Sequence, residues 1–441
     1  MISFGKRVEL LTDEYLIENK EGLSFRYEKP EKLGMVIPFD QPWEKEGSLG
    51  LSCLDCGGKV MLYYRGFPGG DKSDNDSMQT SCLAVSEDGV HFEKAKVDLI
   101  DYDGIKENNI VRMDINCHNF APFLDTSPEC RPEEKFKAIG GLMSTGGLRA
   151  WSSPDGINWK LMADDPVITD GIFDSMNMAF YDAAAGVYRA YFRTWSGDGY
   201  SGWRCISSAE SKDFLHWGPT IPNEYPGIGI CEHLYTNAAR PIPGAEHMLI
   251  SMPMRFMETR QLIKDYAYSS GVSDMVLMTS RDGHVWDRPI KDGFIRAGLY
   301  SHEWSQRCFI AVGGVIPRGD RFIFYTEQNY MWEDDGIFAY AVPRFRFMSL
   351  YADGKGGKLT TKELRFESDD IYLNFSTSAY GYVKVKIAGS DGSEIFLSGE
   401  LYGNELSRRL SVEGLSGKTG RMEIELCEAD LYAIGSDMSS K

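Results

Sequence analysis

The chain has 441 residues, 42% of them apolar, with 47 Lys and Arg against 65 Asp and Glu and a formal net charge of −18. That length predicts one large domain plus a smaller one, and the apolar share excludes a disordered chain. The charge excludes nucleic acid and anionic membrane as partners, since both are polyanions, and fits a neutral or cationic small ligand.

The opening stretch MISFGKRVELLTDEYLIENK holds no apolar run of signal-peptide length, and no later run reaches the about 20 apolar residues of a membrane span, so a cytoplasmic protein is expected. A series of similar units follows. In the first, the segment FDQPWEKEGSL leads into an apolar strand, SLGLSCLDCGG, then an aromatic strand, KVMLYYRGF, then TSCLAV and the turn SEDGVHF from Ser86. The second runs RMDINCHNF, NFAPFLDTSPE, KFKAIGGL, GGLRAW and SSPDGINW; the third runs DGIFDSMNMAF, VYRAYFRTW, WRCISSAE and SKDFLHW. The fourth has GICEHLYTNAARP, HMLISMPMRF, MVLMT and SRDGHVW, and the fifth has SHEWSQRCFIAVGG, IAVGGVIPRGD and RFIFYTEQNY.

The Ser-x-Asp-(Gly/Phe)-x-x-(Trp/Phe) turn occurs four times and the aromatic strand five times. Each unit therefore reads as strand, turn, aromatic strand, connector, strand and Asp-Gly turn leading to a fourth strand, which is a four-stranded propeller blade. Asp88, Asp155, Asp213 and Asp282 supply turn chemistry and belong to blade architecture. After Leu350 the texture changes to short alternating strands, KLTTKELRFES to RMEIELCEADLYAI, without that turn. The expected fold class is all-β, with a five-bladed β-propeller over residues 1–350 and a C-terminal β-sandwich over 351–441.

The nine cysteines are an odd number spread through strand-like segments and read as reduced buried thiols, with Cys53 and Cys56 as strand residues rather than half of a zinc site. No metal and no cofactor is expected. Ligands of a propeller sit over the central channel, at the start of each innermost strand, so the carboxylates just before those strands are the catalytic candidates: Glu44, Asp114, Asp174 and Glu232. Glycosidic cleavage needs two carboxyl groups, one to protonate the leaving oxygen and one as nucleophile or base. Glu232 is expected as the acid and Glu44 as nucleophile or base, with Asp174 and Asp114 tuning acidity or gripping hydroxyls. Candidate substrate contacts are His118, Asn119 and His233 for hydroxyls, Trp43, Tyr235 and Trp304 as stacking platforms, and Arg240, Glu303 and Arg307 as polar anchors.

These repeats, in propeller-then-sandwich order, resemble the glycoside hydrolase family 32, 43 and 68 superfamily over essentially the whole chain. The segments PWE, HNFAPFLD, FDSMN, EHLYTN and SRDGHVW also look like a group of bacterial proteins described as family 32-like. Family 32 carries an Asp in a WMNDPNG-type segment, an Arg-Asp-Pro and a later Glu-Cys. This chain has none of them literally. Trp43-Glu44 stands where the first would fall, Asp114 or His118-Asn119 where the second would, and Asp174 or Glu232 where the acid would.

The resemblance implies a glycosidase that cleaves terminal, including furanosidic, sugars from small oligosaccharides or glycosides. A glycoside phosphorylase like those of family 130, with Arg240, Arg255 and Arg307 forming a phosphate subsite, and a non-catalytic sugar-binding propeller are the alternatives. The expected partners are a small carbohydrate and, in a homo-oligomer, further copies of the chain.

Overall fold

The computed structural model describes residues 1–44, 49–68, 78–264 and 270–435. These residues form an all-β protein whose only helical pieces, among the described residues, are four short 3-10 turns. No helix is long and apolar enough to cross a membrane. All nine cysteines are unbonded, and Cys231 is exposed.

The repeated units become antiparallel sheets, taken up in chain order. The first sheet sets Leu49–Asp55, Val60–Gly66, Thr80–Ser86 and Ile110–Met113 side by side, with Glu93–Lys94 added along Thr80–Ser86. The second uses Ala121–Leu124, Phe136–Gly140, Arg149–Ser153 and Lys160–Leu161, and the third Met178–Asp182, Val187–Trp195, Arg204–Ser211 and Ile221–Pro222. Middle strands such as Val60–Gly66 are buried along their whole length. That is why they read as continuous apolar runs rather than as alternating ones.

The fourth unit is split into two three-stranded pieces, one around Ala245–Ser251 and one around Met254–Met257. The break falls at Met252-Pro253, where proline has no N–H to give to the ladder. In the fifth sheet, Arg321–Gln328 pairs with Ile310–Ala311, Ile316–Arg318 and Gly336–Pro343, and Gly336–Pro343 then pairs with Glu31–Pro38. The outer strand of the last unit thus comes from the opposite side of the sequence. This accounts for a turn motif found four times against an aromatic strand found five times: the fifth unit needs no turn to reach an outer strand that is already supplied.

The turn motif is built as its residues predict. Asp88, Asp155, Asp213 and Asp282 each accept two backbone N–H bonds at 2.8–2.9 Å from the residues two and three positions on. It also joins neighbouring units. Tyr63, Tyr191 and Tyr325, equivalent residues of three aromatic strands, each donate a hydroxyl hydrogen at 2.8 Å to the carbonyl of Gly156, Gly283 and Gly89, the turn glycines of the second, fourth and first units. Phe214 stands where the other turns have glycine, at φ 70°, and packs its ring 5.3–5.4 Å from Tyr188 and Phe123 instead.

The remaining strands form one eleven-stranded sheet system. Its longest members, Asp370–Gly389 and Thr419–Gly435, pair antiparallel, and Leu373, Phe375, Val385, Ile424 and Leu431 fill its core. It also takes in Ile2–Phe4, Val8–Leu10, Ile17–Glu21 and Ser24–Tyr27. A division of the chain at residue 350 therefore does not follow the strand pairing: the first 27 residues pair with strands beyond Phe347. Arg281, from the fourth turn, ties this sheet to the fourth unit through Glu9 and Asp13, each at 2.7 Å.

Candidate functional site

The segments that lead into the first strands of the units converge on one cavity of about 250 Å³, lined in part by Arg65, His118, Asp174, Arg204, Tyr235 and Arg307. The second, third and fourth units reach it by the same local device. His118, Met176 and Thr236 each stand one residue before an asparagine, Asn119, Asn177 and Asn237, with alanine two residues beyond. Asn177 Nδ2 donates to the Phe173 carbonyl at 3.2 Å, and Asn237 Nδ2 to that of Met176 at 2.8 Å, so these amides fix the bend at which each segment turns into its strand. Asn119 adopts the left-handed conformation, at φ 54°, which asparagine tolerates better than most residues.

Asp174 is the one carboxylate lining this cavity among the described residues. It accepts a bond from Arg193 Nη1 at 3.1 Å, while Arg193 Nη2 donates to the Tyr235 carbonyl at 2.7 Å. The Arg193 guanidinium also lies 4.2 Å from the centre of the Tyr235 ring, and Ser175 Oγ donates to the same carbonyl at 2.6 Å. Asp174 and Tyr235 are thereby held as one rigid corner.

His118 is buried, with Nδ1 3.0 Å from Arg65 Nη1. Burial, reinforced by the Arg65 charge, holds its pKa well below the ordinary histidine value. The ring is therefore neutral, and its Nδ1 faces both the Arg65 donor and Gln79 Oε1, each at 3.0 Å. Behind the cavity, Glu327 accepts from the Gly50 backbone at 2.6 Å, while its other oxygen has no hydrogen-bond partner. Burial pushes its pKa well above the carboxylate range despite the opposing charges of Arg65 and Arg307, and the buried Asp335, on which the Glu327 charge acts, is raised with it.

Of the residues expected from sequence, the cavity gathers His118, Asp174, Tyr235 and Arg307. The others lie elsewhere. Glu44 is fully buried, accepting from Tyr64 Oη and Lys94 Nζ at 2.6 Å and from the Gln41 backbone at 3.0 Å, and Trp43 is 4% exposed with Nε1 on Asn109 at 2.8 Å. This pair anchors a loop inside the first unit, and the Trp43 ring offers no open face to a sugar. Asp114 caps the 3-10 turn Ile115–Cys117 and pairs with Arg112. Asn119 is fully buried, and neither of its amide atoms has a partner.

Arg240 is enclosed, donating to the carbonyls of Ala179 and Pro122, and burial lowers its pKa to about 9. It braces three units against each other rather than meeting a ligand. His233 accepts from the Arg204 backbone N–H at 3.1 Å and so supports a cavity arginine from behind. Glu232, Glu303 and Trp304 line a separate open groove of about 1220 Å³. There Glu232 pairs with Arg288 and with Arg255, and Glu303 with Lys32 at 2.9 Å.

Sequence reading missed Arg65, Arg193, Arg204 and Glu327. Arg65, Arg193 and Glu327 occupy one repeat position, two residues after Tyr63, Tyr191 and Tyr325 in the aromatic strands. A charged side chain recurring near the end of otherwise apolar buried strands was the available signal.

No protein-family model and no curated protein matches the chain. The structure is similar to solved carbohydrate-active enzymes. One chain described as a glycoside hydrolase shares 13% identity at a TM-score of 0.47, over 71% of this chain and 92% of its own. A family 43 arabinoxylan arabinofuranohydrolase from Bacillus subtilis shares 11% at 0.38, over 89% and 96%, and a fructofuranosidase from Schwanniomyces occidentalis 9% at 0.40, over 91% and 97%.

Proposed function

We propose that the chain is a glycoside hydrolase in which the sheet units form a five-bladed β-propeller and the eleven-stranded system a β-sandwich, with the cavity at the convergence of the units as its active site. One observation carries this reading: Asp174, His118 and Tyr235, delivered by three different units, meet in a single cavity of sugar-like dimensions. Tyr235 offers an aromatic ring for a sugar face, neutral His118 offers a ring nitrogen to a hydroxyl, and the Asp174 side chain lines the same space.

Glycoside cleavage needs a carboxylate that works as base or nucleophile and an acid that protonates the leaving oxygen. Asp174, paired with Arg193, takes the first role. Glu327 is the candidate for the second: it is fully buried behind the cavity rather than lining it, burial favours its protonated form, and one of its oxygens has no hydrogen-bond partner. Glu44, Glu232 and Asp114 are held in ion pairs away from the cavity and serve the fold.

The test is hydrolysis of a panel of aryl glycosides and short oligosaccharides, furanosides included, by wild type, Asp174→Asn and Glu327→Gln. Turnover by wild type that falls by about 100-fold or more in Asp174→Asn is expected. Unchanged turnover in that variant would remove Asp174 from the chemistry. A wild type that binds sugars but turns none over would make the protein a carbohydrate-binding module.

A further inference from the structure

The third unit carries a surface feature that the cavity does not use. Its strands Val187–Trp195 and Arg204–Ser211 are joined by the hairpin SGDGYSGW, residues 196–203. Two large rings of this short hairpin meet water: Tyr200 is 61% exposed and Trp203 39%. They stand among Ser196, Gly197, Asp198, Gly199, Ser201 and Gly202, so each ring is framed by small polar residues instead of joining the broad apolar core that a protein–protein interface needs. An aromatic face beside small hydrogen-bonding groups matches a sugar, which offers C–H groups to the one and hydroxyls to the other.

The hairpin holds these rings in fixed places. The Ser196 N–H donates to the Trp203 carbonyl at 3.0 Å, the Trp203 N–H to Ser196 Oγ at 2.8 Å, the Gly197 N–H to the Ser201 carbonyl at 3.2 Å and Ser201 Oγ to the Asp198 carbonyl at 2.7 Å. Gly202 stands at φ 77°, and a Cβ there would fall 2.4 Å from Ser196 Oγ, so the turn closes in this form only with glycine. The Tyr200 ring packs 6.0 Å from that of Trp195, and its hydroxyl donates to Met143 Sδ of the second unit at 3.9 Å. The Trp203 ring packs 4.8 Å from that of His233 in the fourth unit. Rings ordered before a ligand arrives lose little freedom when it binds.

The hairpin also continues the wall of the cavity. Arg204, the residue after Trp203, lines the cavity, and its guanidinium lies 4.6 Å from the Trp195 ring centre and 5.1 Å from that of Tyr235. Glu258 accepts from Arg204 at 3.2 Å, so the charge of this arginine is answered within the protein. An aromatic series thus runs from Tyr235 in the cavity through Trp195 to Tyr200 at the surface. We infer that residues 196–203 form a second sugar subsite continuous with the cavity: while one sugar unit lies against Asp174 and Tyr235, Tyr200 and Trp203 carry the units joined to it, and the preferred substrate is an oligosaccharide rather than the glycoside of a single sugar. The inference rests on the reading of the cavity as a sugar site.

A comparison of chain lengths tests this. Arabino-, xylo-, manno- and fructo-oligosaccharides, from the monosaccharide to the pentasaccharide, are titrated calorimetrically into the full-length protein and assayed for cleavage. In at least one series affinity should rise by about tenfold or more from the monosaccharide to the longer members. That length response needs no variant, so it stands even where a substitution disturbs the fold. Tyr200→Ala and Trp203→Ala, each checked for a native circular dichroism spectrum, should remove most of this gain for the longer members and leave the monosaccharide and its aryl glycoside unchanged, whereas Trp203→Phe, which keeps a ring, should retain it.

Glycosides cleaved with no dependence on chain length, or with a length dependence that both alanine substitutions leave untouched, would overturn the inference while leaving the glycosidase reading intact. Length-dependent binding that the two substitutions abolish, with no turnover of any glycoside, would keep the inference and sink that reading. Sedimentation of the wild type as a dimer that Trp203→Ala disperses would assign these rings to a second copy of the chain and overturn the inference.

Discussion

Arg193 commits its guanidinium to three neighbours at once: the Asp174 carboxylate, the Tyr235 carbonyl and the face of the Tyr235 ring. Arg193 is not among the residues that line the cavity, so it is a positioning residue, and its removal should act through the two groups it fixes. Arg193→Gln is expected to lower kcat/KM by about 100-fold through loss of alignment. Restoration of most of this by Arg193→Lys would show that charge alone suffices; failure of lysine to rescue would show that the planar fork is required. His118 adds no ionisation to the pH profile of activity near neutrality, because burial keeps its ring uncharged. At this scale the sequence was only partly legible. Asp174, His118 and Tyr235 stood just ahead of strand-like runs and could be picked from position. Arg65 and Arg193 lie inside apolar strands, and a charged residue there is indistinguishable, from one strand alone, from one that merely snorkels to an edge.

Among the elements, the Asp-Gly turn has two functions that its sequence shows unequally. Its local bonds follow from Ser, Asp and Gly at fixed offsets and are readable from residue type. Its second function, presenting a glycine carbonyl to the tyrosine of another unit, depends on which sheets are neighbours. That knowledge is not local. Tyr325, whose partner Gly89 lies 236 residues away, joins the fifth unit to the first. Tyr325→Phe should cost about 1–3 kcal/mol, since the donor is lost and a buried carbonyl is left unpaired. Chemical denaturation measures this, and a loss below about 0.5 kcal/mol would mean that water replaces the hydroxyl. The split of the fourth unit was likewise written in the sequence, at Met252-Pro253, but as an interruption of an expected strand it looked like no more than a residue choice.

For the whole molecule, the units and the change of texture after Leu350 were visible because repetition and alternation are patterns. The destination of the first 38 residues was not. The strand Glu31–Pro38 and those of the first 27 residues carry no copy of the repeat, and their partners lie some three hundred or more residues further on. Acidity should test how these parts are joined. Burial pushes Glu9 up, but His247 and Arg281 more than offset it and hold its carboxyl down at about 2. Burial also raises Asp155, yet the amides of Asn158 and Ile157 bring it to about 2. Both groups bind protons more weakly in the folded state than in the unfolded one. Their contribution is therefore complete above the ordinary carboxylate range and disappears as pH falls through it towards 2. The denaturation midpoint should hold between about pH 7 and about pH 5 and drop steeply below about pH 4. A midpoint unchanged at about pH 3 would show that these pairs contribute nothing net.

Strand Val8–Leu10 pairs with Gly435, Ile434 and Ala433, and strand Glu31–Pro38 completes a sheet whose other members begin at Ile310. Synthesis runs from the N-terminal side, so these strands leave the ribosome some three hundred or more residues before their partners. The second and third units can close on themselves while translation continues. The earliest strands must wait, unpaired, for most of the remaining sequence, and their exposed edges make this interval the time at which a chaperone has most to protect.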